Sequence, residues 1–157
     1  MPKPEHGIDS AAFRTPLWKY VQRSRLGVFL SSPLIYLCLI PFVLLDACIS
    51  LYQGVCFPIY GVPRVQRRHY FVYDRGRLKY LNLLERLNCI YCSYANGVAG
   101  YVTEITARTE QHWCPIKHKK DAARHHDRYA TFLPYGDAQT YRERIEEVRR
   151  NFRNLPG

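Results

Sequence analysis

Four side chains in one stretch of this sequence are of the kinds that bind soft metals or exchange electrons. Cys89 and Cys92 stand at Cys-x2-Cys spacing in "NCIYCSYANG", and Cys114 and His118 at Cys-x3-His spacing in "WCPIKH". Thiolates with an imidazole at such spacings suit tetrahedral zinc, because two ligands reach one ion from a single turn of chain. Iron is the other metal that thiolate sulfur favours, although three cysteines and a histidine match none of the common cluster spacings. The expected metal ligands are therefore Cys89, Cys92, Cys114 and His118. Two thiols as close as Cys89 and Cys92 would also serve a thiol-disulfide oxidoreductase, given a lowered thiol pKa. No βαβ pattern surrounds the pair to favour that chemistry.

Whether the four ligands meet depends on the 21 residues between Cys92 and Cys114. Read as helix, this stretch puts Val98, Val102 and Ile105 on one face and pairs Glu104 with Arg108 four residues on. A continuous helix would hold Cys92 and Cys114 roughly 30 Å apart, and a bend at Gly97 would still leave about 25 Å. Read as ribbon, Tyr101, Val102, Thr103, Ile105 and Thr106 favour strands, and a tight turn at Asn96-Gly97 folds Cys114 beside Cys92. Both readings stay open at this level. In a site shared between chains, His69, His112 or the His125-His126 pair would complete the shell. Otherwise "ARHHDRY" reads as a solvated loop, since adjacent residues do not share a helix face. Glu104, Arg108 and Glu110 read as a surface salt-bridge cluster.

The elements that must hold these groups divide into three segments. From residue 27 to 62 the one charged residue is Asp46, and Cys38, Cys48 and Cys56 lie there as small hydrophobes. Such a block is read as a membrane segment. Ser32 with Pro33 marks a helix start and Gly54 a stop, giving about 21 residues and roughly 31 Å, near the hydrocarbon thickness. Pro41 should kink it. Asp46 is costly at mid-bilayer unless it is paired, protonated or near water. The block can cross once, turn near Pro41 to Asp46 and return, or form the buried core of a soluble fold. It starts too late and runs too long for an export signal.

Residues 1–26 form a basic segment with Lys3, Arg14, Lys19, Arg23 and Arg25. Within it, Thr15-Pro16 opens an interfacial amphipathic helix carrying Leu17, Trp18, Tyr20 and Val21. Residues 63–157 form a basic domain with cysteines and histidines. An aromatic run, His69 to Tyr73, ends at the turn Asp74-Arg75-Gly76 and suggests a short β-hairpin. From Leu78 the apolar spacing becomes helical, with Leu81, Leu84, Leu87 and Tyr91 on one face, and a stop or bend is expected at Asn96-Gly97. The clearest helix begins at Asp137 and carries the stripe Tyr141, Ile145, Val148, Phe152 and Leu155 before Pro156-Gly157.

The 157 residues hold 23 Lys and Arg against 13 Asp and Glu, a formal charge of +10. The excess suits anionic partners, and its position on both flanks of the apolar block favours anionic membrane lipid over nucleic acid. Nucleic-acid binding remains the weaker alternative, with no RNA-recognition or helix-turn-helix signature. Positive flanks prefer the cytoplasm, which places the C-terminal domain there. No glycine-rich phosphate loop, serine-nucleophile elbow or His-Glu-x-x-His occurs, so no catalytic residue is expected and the balance leans against an enzyme.

"RTEQHWCPIKH", preceded by "NCIYCSYANG", resembles a group of small proteobacterial proteins that pair an apolar segment with a cysteine-bearing domain. The likeness covers residues 74–119. It implies a bacterial origin and an inner-membrane location, and carries over no activity. The sequence as a whole reads as a mainly α protein: one kinked apolar membrane segment and a small, mostly helical cytoplasmic domain with a short β-hairpin. Its expected role is a binding or scaffold module with bound zinc, partnered by lipid, another protein or a second copy.

Overall fold

The computed structural model describes residues 10–23, 26–120 and 122–152. The expected contributions of Lys3, Arg25, Leu155 and Pro156-Gly157 lie outside them. The chain is mainly helical. Among the described residues the only β pairing is an isolated bridge between Ile116 and Leu133.

α1 (Leu17–Arg23) follows Thr15-Pro16 as the sequence suggests, with the Tyr20 amide donating to the Pro16 carbonyl at 3.1 Å. The apolar block forms α2 (Leu26–Leu37) and α3 (Leu39–Tyr60). Two expectations are corrected here. The helix does not start at Ser32, because the uncharged run before it already continues the helix. The break expected from Pro41 falls at Cys38, where α2 and α3 part. Pro41 has no N–H for the Leu37 carbonyl and crowds it, so the discontinuity falls one turn earlier. Nor does the helix stop at Gly54; one interior glycine weakens a helix by only about 1 kcal/mol. The stop comes at Gly61, whose φ of 68° lets the Val62 amide reach back to the Phe57 carbonyl at 2.9 Å.

α4 (Leu83–Trp113) runs in the same direction as α3 and packs along it. Contacts climb α4 together with α2 and then α3: Tyr36 to Asn88, Asp46 to Tyr94, Gln53 to Tyr101, and Tyr60 to His112. Parallel neighbours need a return connection, and residues 61–82 supply it as a strap running back over both helices. Val62 and Val65 pack with Phe57, Tyr101 and Ile105 in the main core. The Gln53 amide grips the strap, accepting from the Val65 amide at 2.6 Å and donating to the Tyr101 phenol at 2.7 Å. Arg67 then forms a two-pronged pair with Asp46, which also accepts from the Tyr94 phenol at 2.9 Å. The charge that the apolar block carries is thus paired. That contact raises the Arg67 pKa further above its ordinary value.

The expected hairpin at residues 69–73 is absent. The run forms short 3-10 turns at Arg67–His69 and Asp74–Arg77 instead. Tyr70 and Phe71 face helices rather than a partner strand, Tyr70 against Tyr101 and Phe71 against Tyr94 and Tyr101. The expected bend at Asn96-Gly97 is also corrected: α4 passes straight through it. Here glycine serves close approach, since a Cβ on Gly97 would lie 2.9 Å from both the Tyr70 carbonyl and the Phe71 ring. α4 begins at Leu83 because Asn82 and Glu85 form a capping box, each side chain bonded to the other's amide. Asn82 is buried, so Asn82→Ala is expected to lower stability by about 1 kcal/mol, measured by thermal unfolding of the purified chain.

α5 (Ala138–Arg150) begins at its expected cap and carries Tyr141, Ile145 and Val148 of the expected stripe, but it ends at Arg150, before Phe152 and short of the expected end at Pro156-Gly157. Asp137 accepts from the Thr140 amide at 3.0 Å and its hydroxyl at 2.6 Å, which lowers the carboxyl pKa. Ile145 and Val148 pack on Leu133 with Tyr141, and Phe152 joins the main core.

Candidate functional site: a buried ion network beneath a histidine-lined groove

Glu104 and Arg108 are neighbours on one face of α4, as helical spacing requires, and the Arg108 Nε donates to Glu104 Oε1 at 2.7 Å. The expectation of a surface cluster is corrected by what covers them. The segment after α4 returns through the short helical turn Asp127–Thr131 and drives Arg128 into the same place. Arg128 is 1% exposed and donates to Glu104 Oε1 from Nη2 at 2.5 Å and from Nε at 3.0 Å. One carboxylate oxygen thus receives donors from two buried guanidinium groups.

The network extends outward from there. Arg108 Nη1 donates to the Pro63 carbonyl at 2.7 Å, which ties it to the strap. Arg128 Nη1 donates to Gln111 Oε1 at 3.1 Å, and Gln111 Nε2 donates to the Val148 and Asn151 carbonyls at 2.8 Å. These last two lie at the C-terminal end of α5, where helix carbonyls lack partners of their own. Strap, α4, return segment and α5 therefore meet at one set of polar contacts.

Above the network lies an open groove of about 740 Å³ between α4 and residues 124–127, lined by Tyr70, Asn96, Thr103, Arg124, His125 and His126 among others. Gly100 forms part of its floor, with the Tyr70 ring close above. Burial pushes the Tyr70 phenol above its ordinary pKa, and the Glu104 carboxylate adds to the effect. The His125 ring stacks on Tyr129 at 3.8 Å. His126 Nε2 lies 2.9 Å from Glu110 Oε2, and its Nδ1 is enclosed without a hydrogen-bond partner. The reading of "ARHHDRY" as a solvated loop is therefore corrected: the imidazoles pack. The His126–Glu110 contact ties the return segment to α4.

The expected metal ligands are distributed differently. Cys89 and Cys92 lie in the interior of α4, while Cys114 follows its last turn and is exposed. The unbroken helix between Cys92 and Cys114 sets them roughly 30 Å apart. His118 stacks at 5.9 Å on Tyr129, and its amide donates to that phenol at 2.6 Å. The structure does not bring the four to one point. Among the described residues no three His, Cys, Asp or Glu side chains are grouped to hold an ion. What sequence reasoning missed is Arg128, which carries no local signal; the Glu104–Arg108 spacing was the visible half of its site.

No family model, curated protein or solved structure matches this chain.

Proposed function

We propose that this chain is a membrane-attached binding module: its apolar helices rest in the bacterial inner membrane, and its polar groove faces the cytoplasm. The observation that carries the reading is how α2 and α3 are used. Residues Leu30–Tyr60 are long and apolar enough to cross a membrane, yet only 6% of their most apolar window is covered by the rest of the chain. A core helix of a water-soluble protein would be mostly enclosed. Leu30, Leu34, Leu37, Leu44, Leu51, Val55 and Ile59 all remain outward, an apolar patch of the kind that marks a membrane or protein contact. The basic flanks support the cytoplasmic side.

The thiol-exchange alternative draws less support. Both thiols are free and stand at i and i+3 inside a helix, where Cβ atoms lie about 5–6 Å apart. A disulfide needs about 3.5–4.5 Å, so closing it would distort α4. Cys89 also lies beyond the first turn, where a helix N-terminus would activate a thiolate.

Fractionation of cells expressing the full chain tests the proposal. The protein is expected in the membrane pellet after washing with high salt, and in solution only once detergent is added. Recovery in the soluble fraction without detergent overturns it.

A further inference from the structure

The fold constrains how the apolar helices can lie. Suppose residues 26–45 stood upright across the hydrocarbon. Tyr36, near their middle, donates to Asn88 Oδ1 at 2.6 Å and stacks edge-on against Tyr91 at 5.8 Å. The start of α4 is therefore level with the middle of that span, and so is the Asp74–Arg77 turn, since Gly76 lies against Ile90. Arg75, Arg77, Lys79, Glu85 and Arg86 would be drawn to mid-bilayer depth. Arg75, Arg77 and Lys79 are exposed and form no ion pair among the described residues. Unpaired cations at that depth are strongly disfavoured.

A helix lying along the membrane surface removes the conflict. Leu44, Leu51, Val55 and Ile59 recur at helical spacing on the outer face of α3, continuing Leu30, Leu34 and Leu37 of α2. Asp46, Gln53 and Phe57 occupy the opposite, covered face. The stripe thus runs the length of both helices, and the exposed Ile35, Ile40, Val43 and Leu45 extend it onto other faces between residues 35 and 45. The exposed Leu83, Leu87 and Ile90 form a second stripe on the first turns of α4. Beside it, Val72, Tyr73, Leu78 and Tyr80 are exposed around Arg75, Arg77 and Lys79, with Asp74 the one acidic residue among them. Aromatic rings interleaved with Lys and Arg match the headgroup layer of an anionic leaflet.

From this geometry we infer that the chain enters a single leaflet: α2 and α3 lie along the bilayer with their outer stripe in the acyl chains, and Arg75, Arg77 and Lys79 seat in anionic phospholipid headgroups of the same leaflet. The inference rests on the proposed membrane attachment and goes further by fixing orientation and lipid class.

Tryptophan depth measurements separate the two. In full-length protein carrying Trp18→Phe and Trp113→Phe, one tryptophan is placed by Leu34→Trp, Leu44→Trp or Val55→Trp. Each variant is added to phosphatidylglycerol–phosphatidylcholine vesicles brominated at successive acyl depths. All three are expected at one shallow depth. A graded series through the midplane, or a single deepest point at position 44, overturns the orientation while leaving attachment intact. No quenching at any position defeats attachment itself. In a second arm, the combined Arg75→Gln, Arg77→Gln and Lys79→Gln variant is expected to lose about tenfold or more of its preference for phosphatidylglycerol over pure phosphatidylcholine vesicles. An unchanged preference in a variant with parental helicity overturns the headgroup seat.

Discussion

Glu104→Gln is expected to destabilise the protein by about 3–5 kcal/mol, the cost of stripping a buried charge of its partner. The substitution keeps the shape of the side chain and opens no cavity, so the loss reports charge alone. Glu104 Oε1 receives donors from Arg108 and Arg128, whose side chains are 9% and 1% exposed. A neutral amide oxygen can still accept a hydrogen bond, but it leaves two enclosed positive charges facing each other. The Arg108 contact to the Pro63 carbonyl and the Arg128 contact to Gln111 offer dipoles, not a compensating charge. Thermal or urea unfolding of the full chain in detergent measures the effect. The exposed Glu146, paired to Arg149 at 2.9 Å, provides the control: Glu146→Gln is expected within about 0.5 kcal/mol of the parent. Adding Arg128→Gln to Glu104→Gln is expected to recover part of the loss, because one orphaned charge goes with it. Equal small effects for Glu104→Gln and Glu146→Gln would show that the network does not hold the fold.

This network also shows what could be read from the sequence and what could not. Local signals were legible. The cap at Asp137 and the stripe Tyr141, Ile145, Val148 needed only neighbours within a turn or two, and α5 formed as they indicate. The Glu104–Arg108 pair was legible for the same reason. Its burial was not, because Arg128 arrives from 20 positions beyond Arg108 and Pro63 from 45 positions before it. The cysteine spacing was incomplete in a related way. A pattern of thiols along the chain says which ligands are near in sequence, while convergence depends on whether the intervening segment doubles back. An unbroken α4 does not. Asp46 was informative in the opposite sense: a lone carboxylate in an apolar block demands a partner, and Arg67 supplies it, although nothing local singles out Arg67 among its basic neighbours.

Replacing glycine by alanine inside a helix ordinarily stabilises it by about 1 kcal/mol, since alanine has less backbone freedom to lose. Two glycines here are expected to respond with opposite signs. A Cβ on Gly54, in α3, meets nothing within 4 Å, so Gly54→Ala is expected to raise the unfolding temperature. At Gly97, in α4, the same atom would sit 2.9 Å from the Tyr70 carbonyl oxygen and 2.9 Å from a Phe71 ring carbon. The ring can turn aside, but the carbonyl belongs to the strap backbone and moves only if the strap moves. That backbone leads directly to Arg67, whose guanidinium lies 4.0 Å over the Phe71 ring while it pairs with Asp46. Lifting the strap at Tyr70 therefore loosens the ion pair that neutralises the apolar helix. Overpacking of this kind costs about 1–3 kcal/mol, which exceeds the propensity gain through most of that range. Gly97→Ala is thus expected to lower the unfolding temperature, and Gly97→Val to lower it further, because a β-branched side chain adds bulk at the contact and disfavours the helix. Combining Gly97→Ala with Phe71→Ala would relieve the ring contact and leave the carbonyl contact. Persistent destabilisation in that pair, beyond the loss caused by Phe71→Ala alone, identifies the strap backbone as the element that requires glycine at position 97. Stabilisation by Gly97→Ala equal to that by Gly54→Ala would mean that α4 and the strap do not approach this closely.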